Sequence, residues 1–301
     1  MCGLCPANRS DLSFMDFRPD AAFKTALCQP GNDDTRVSDH PIWGISGVSR
    51  FSYTPDEMHA MALGPVIWMH ASVMHTLIHP DIGVIRGGAF KSRVERLWES
   101  VLEAYEACGT EKRLSTLTVG MLGKNVHPAL TCKAAEARHL VLPMLHLLRK
   151  HHRGTSYDSH AIRCYELLDA IYTVFECAGM FLTTAEAQLV QESMDHFLLH
   201  YNWLANWSKE RGEHLFHVTT KHHSLWHMAY MARFLNPTAS HCYGFEDFIG
   251  IIKKCGHAQV IATPMHNVPK KIWQCYQVAL ADTLCVDITT CPGRRRSART
   301  A

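Results

Sequence analysis

Two short stretches carry side chains whose type and spacing suit metal chemistry. The first is Cys2-Gly-Leu-Cys5, a CxxC. Two thiolates at that spacing reach one Zn2+ from a tight turn, and supply half of a tetrahedral site. The second is Lys221-His222-His223-Ser224-Leu225-Trp226-His227. On a helix, residues four apart face the same way, so His223 and His227 can reach one ion. The missing half of the CxxC site has local candidates in Cys28 and His40 and distant ones in His223 and His227. His222 is an alternative to His223 at a spacing of five. With 21 histidines in the chain, an i,i+4 pair is weak evidence by itself.

Two acidic features complete the inventory. Asp56-Glu57-Met58-His59 is a D-x-x-H at a helix start, and Glu246 follows Tyr243 and Phe245 early in a short helix. Acidic residues in a first turn are favoured by the helix dipole alone. Lys221, Lys253, Lys254, Lys270, Lys271 and a tail at 293–299, GRRRSAR, give scattered positive charge.

The elements that must position these groups are mostly helices. Thr54-Pro55-Asp56-Glu57 reads as a start signal, with Thr54 as N-cap, Pro55 at the first position and Glu57 closing a capping box. That helix runs through VIWMHASVMHTLI with a kink at Gly64-Pro65 and stops at Pro80. Apolar periodicity places further helices near 89–108, 133–150 (interrupted at Pro143), 159–178, from Thr183 to beyond Tyr201, 218–235, 245–255 and 268–285. The one strand candidate is RLSTLTVGML at 113–122. The fold class is therefore mainly α with few strands. The domain reading is an irregular, zinc-knuckle-like segment at 1–50, a helical domain at 51–215, terminal helices with the His pair and Glu246 at 216–290, and a basic tail at 291–301.

Bulk properties narrow the classes. The 301 residues include 47% hydrophobic and 19% charged, as expected of a globular protein. A net charge of +2 announces no strong nucleic-acid field. Twelve cysteines are scattered, with a single CxxC, which reads as metal or redox chemistry in a reducing, intracellular setting. No apolar run reaches membrane-spanning length, so no membrane is expected. There is no glycine-rich phosphate loop and no GxSxG elbow.

In order along the chain, CxxC, D-x-x-H, H-x3-H and the Glu of Tyr243-Gly-Phe-Glu246 resemble the eukaryotic DDE transposases of the CACTA group and their relatives. The resemblance covers roughly residues 2–255. It implies an RNase-H-like core carrying three carboxylates that bind Mg2+ or Mn2+, with a large helical insertion before the final Glu. It also implies that Cys2, Cys5, His223 and His227 hold one structural zinc. Asp56 and His59 become the D-x-x-H signature, and Glu246 the last catalytic carboxylate. DNA is the implied partner, a homo-oligomer is possible, and the implied location is the nucleus. The family's first two catalytic Asp residues lie upstream of the CxxC, at positions this sequence does not contain. The expectation is thus a transposase-derived chain, truncated and catalytically incomplete. The alternative is a non-catalytic, zinc-stabilised helical module that binds DNA or protein.

Overall fold

The computed structural model describes residues 4–8, 10–25, 45–46, 48, 52, 54–123, 126–260 and 263–283. Cys2, Cys28, His40 and the arginine tail lie outside them. The chain divides into two compact units, Met1–His241 and Cys242–Ala301.

The first unit is helical. After a short α1 (Ala22–Thr25) come a π-helical segment, Met58–Val66, and its continuation α2 (Ile67–Leu77). Then follow α3 (Phe90–Cys108), α4 (Val119–Leu122), α5 (Ala134–His139), α6 (Val141–Lys150), α7 (Ser156–Cys177), α8 (Thr184–Glu210) and α9 (Thr220–Met231). The mainly α class agrees with the apolar periodicity. Among the described residues there is no strand, and the isolated bridge between Val126 and His214 is the nearest approach to one.

RLSTLTVGML is therefore not a strand. Its buried residues, Leu114, Leu117 and Leu122, do not alternate with exposed ones as a half-buried strand requires. Thr118 instead caps α4, its hydroxyl accepting from the Met121 N–H.

Capping chemistry fixes several helix starts. Thr155 and Thr183 accept from the N–H of Asp158 and Glu186, and both acidic side chains reach back to the Thr N–H. At the π-helical segment the cap differs from the sequence expectation. Asp56, not Thr54, caps the turn: its carboxylate accepts from the His59 N–H at 3.0 Å, and its carbonyl from the Ala60 N–H. Thr54 and Pro55 lie before the helix. The expected break at Gly64-Pro65 is present, with non-helical torsions at Leu63 and Gly64. Proline removes a donor there. The Leu63 carbonyl, within the break, accepts from the Lys221 ammonium of α9 at 2.7 Å. A Cβ at Gly64 would stand 3.0 Å from Lys221 Cδ, so the glycine makes room for this lysine.

The core forms where α7 packs on α8, with α6 against both α3 and α7 and α9 against α8 and the π-helical segment. These contacts place α9 in the first unit, whereas the sequence reading joined it to the terminal helices. Fully buried Tyr165, Tyr201, Phe197 and Phe175 fill the centre. Asn236, after α9, donates through its amide to the carbonyls of Phe175, in the last turn of α7, and Gly179, just beyond it.

The second unit contains α10 (Tyr243–Val260) and α11 (Val268–Thr283), which pack together through an edge-to-face contact of Phe248 with Tyr276. Phe248, Ile249, Ile251 and Trp273 remain exposed.

His70 shows how the core handles a polar group. It is fully buried, its Nε2–H donating to the Ala137 carbonyl and its Nδ1 accepting from the Tyr165 hydroxyl. Burial lowers its pKa from 6.5 to about 4. The folded state holds it neutral, so protons favour the unfolded chain as pH falls from about 6.5 toward 4. The expected loss from this group is on the order of 3 kcal/mol across that window. An NMR titration should find the His70 imidazole neutral down to pH 5 in the folded protein. Protonation near pH 6.5 would contradict the buried, neutral assignment.

Candidate metal centre

Three ligand-type atoms meet inside the first unit. Cys5 Sγ lies 3.2 Å from His223 Nε2 and 3.3 Å from His227 Nε2, and the two nitrogens are 3.0 Å apart. All three residues are buried. The sequence separation between Cys5 and His223 is 218 residues.

Ligands bound to Zn2+ at about 2.0–2.1 Å (N) and 2.3 Å (S) stand about 3.3 Å (N to N) and 3.6 Å (N to S) apart at tetrahedral angles. The observed edges are all slightly shorter, so a modest, uniform expansion admits an ion. One soft sulfur and two imidazoles suit zinc better than Mg2+ or Ca2+. Residues and geometry therefore fit a structural transition-metal site with one further ligand to come. Cys2, the other thiol of the CxxC, and the alternatives Cys28 and His40 lie outside the described residues.

His222 serves another purpose. Its Nδ1 accepts from the Thr219 N–H at 3.1 Å, its ring stacks on Trp68, and burial lowers its pKa to about 3. Adjacent residues on a helix point about 100° apart, so His223 and His227 share a face that His222 does not. The four-residue spacing is the one the site uses.

The amino-terminal segment closes over this face of α9. Phe23, itself buried, sets its ring edge-on to His223 at 4.5 Å and to Trp226 at 5.2 Å. The next residue, Lys24, donates to the Phe17 carbonyl at 3.0 Å and pairs with Asp195 of α8 at 2.5 Å. Asp195 also accepts from Trp226 Nε1 at 3.0 Å. One carboxylate thus ties the arm, α8 and α9 together. Among the described residues His223 Nδ1 is buried without a hydrogen-bond partner, whereas ligating histidines are commonly supported at the second nitrogen.

The remaining sequence-selected residues are placed apart from this centre. Asp56 and His59 pair at 2.6 Å as cap and third residue of the π-helical turn. Glu246 is exposed in the first turn of α10, in the second unit. Lys253 and Lys254 are exposed on α10. Lys221 is half-buried across Trp68, and desolvation lowers its pKa. Among the described residues no three carboxylates converge.

Sequence reasoning missed Glu57. Rather than closing a capping box, it is completely buried, with the Tyr172 hydroxyl beside it. Desolvation raises its pKa to about 7, partly offset by the charge of Arg138. Its place beside the Asp56 cap offered no signal of this, because a first-turn glutamate ordinarily faces solvent.

No described helix is long and apolar enough to cross a membrane. Comparison with protein families, curated proteins and solved structures finds no match for this chain.

The Phe23 ring is predicted to shield the centre as well as to fill space. Phe23→Ala should cost about 3–5 kcal/mol of stability and speed extraction of bound metal by a chromogenic chelator. An extraction rate equal to wild type would separate Phe23 from the centre.

Proposed function

We propose that the chain is a transposase-type, DNA-binding protein whose amino-terminal arm and α9 are joined by one structural zinc. Cys2, Cys5, His223 and His227 are its ligands, the first by the spacing of the CxxC. The observation that carries this reading is the convergence of Cys5 with His223 and His227 across 218 residues. A CxxC and an H-x3-H are the two halves that the resembled transposases bring around zinc. Chance does not favour their meeting in a chain this long.

In this reading the helices of the first unit are the family's insertion, and α10 carries Glu246 as the last carboxylate of an RNase-H-like core. Two-metal strand cleavage needs several carboxylates holding ions about 3.5–4 Å apart. Glu246 cannot supply that alone. Mg2+ or Mn2+ chemistry then requires carboxylates that the described residues do not bring together, contributed by a second copy or a longer protein. The chain by itself binds DNA without cutting it. Nuclear location follows from the same reading.

A second reading is a zinc-braced helical module with no catalytic ancestry in use, binding DNA or protein. The lack of converging carboxylates among the described residues favours it. Both readings keep the zinc; they part on nuclease activity when the missing carboxylates are supplied.

The test is fluorescence anisotropy with duplex DNA from 50 to 200 mM salt. Affinity should fall with salt, and Lys253→Ala/Lys254→Ala should reduce the log–log slope by about 2. Absence of DNA binding at low salt, or a slope that ignores both lysines, would overturn the assignment of α10 as a DNA-contacting element.

A further inference from the structure

A second group of histidines lies on the seam between α7 and α8, away from the buried centre. His160 of α7 and His200 of α8 face each other with their Nδ1 atoms 2.8 Å apart. Both are half-buried, so the pair is open to solvent on one side. The His160 ring lies flat on Trp203, with centroids 3.9 Å apart and planes 2° from parallel, which holds its orientation. His196 stands one turn before His200, giving His196-Phe-Leu-Leu-His200 the same i,i+4 spacing that His223 and His227 use. It is exposed, and its charge acts on His200.

Two nitrogens bound at about 2.0–2.1 Å to one ion lie about 2.9 Å apart at a right angle and about 3.3 Å apart at the tetrahedral angle. The observed 2.8 Å is close to the first value. Burial, with help from the neighbouring charges, lowers the His200 pKa to about 4, and burial lowers that of His160 too. Both rings are therefore neutral near pH 7, the state in which imidazole ligates. Arg163, one turn after His160, is the nearby cation, and it is paired with Glu166 at 3.2 Å.

We propose that His160, His200 and His196 form a second, solvent-open site for an imidazole-preferring divalent transition ion. His160 and His200 already meet. The three nitrogens do not converge as they stand, so binding draws in His196 by rotation of its exposed side chain. Three imidazoles leave at least one coordination position to water or a small ligand. Such an ion pins α7 to α8, the helix pair on which the core is built. The inference is independent of the transposase reading and of the buried centre.

The test uses the full chain with its buried centre loaded with zinc, and Ni2+ as the probe. Calorimetry near pH 7.5 should show one Ni2+ bound. His160→Phe keeps a ring against Trp203 but removes the nitrogens, and should weaken binding by at least about tenfold. His200→Gln should do the same. His127→Phe, altering an exposed histidine beside His217 elsewhere on the unit, should leave binding unchanged. Circular dichroism confirms that each variant is folded. No Ni2+ binding, or equal binding by wild type and His160→Phe, would overturn the site and leave a hydrogen-bonded pair of neutral histidines.

Discussion

The meeting of one thiol with two imidazoles is the constraint on which the first unit depends. Cys5 lies in a segment with little regular structure of its own, whose Ala7, Phe14, Phe17 and Ala21 are buried in the core. Its attachments to α9 and α8 include the buried Cys5 against His223 and His227, the Phe23 ring over the same histidines, and Lys24 on Asp195. All converge on α9 or on the α8 side chain that supports it. Closing a loop of this length carries an entropic cost that rises only slowly with its length, and a metal–ligand set can offset it. Without such a set, two buried imidazoles and a thiol form a poorly matched polar group in an apolar wall.

The same helix also braces the first unit from its other side. Lys221 reaches the carbonyl left open at Leu63, while His222 stacks on Trp68 and caps its own helix. Lys221, His222 and His223 are thus divided between the side that faces Cys5 and the side on which Lys221 meets the Gly64-Pro65 break. A lysine so engaged supplies structure before it supplies charge.

Much of this was readable from residue order. Apolar periodicity announced α7 and the long helix that opens at Thr183. Gly64-Pro65 announced a break, and the spacing of His223 and His227 announced a shared face. What the sequence concealed depends on tertiary contact. The run 113–122 has strand-like residues, but among the described residues no strand pairs with it, and Leu114 and Leu117 settle into the core. Thr54 has the residue type of a cap, but it is Asp56, two residues on, whose carboxylate accepts from the His59 N–H. That Glu57 is buried, that His222 turns away, and that His160 meets His200 across two helices all depend on which helices pack together. Local spacing carries no such information.

The central claim is that one zinc joins the chain's start to α9. Elemental analysis of the purified protein tests it most directly, beside Cys2→Ser/Cys5→Ser and His223→Ala/His227→Ala variants. The account predicts one zinc in the buried centre, lost in both variants. Zinc retained by either variant, or none in the wild type, would contradict it and separate the two halves of the site.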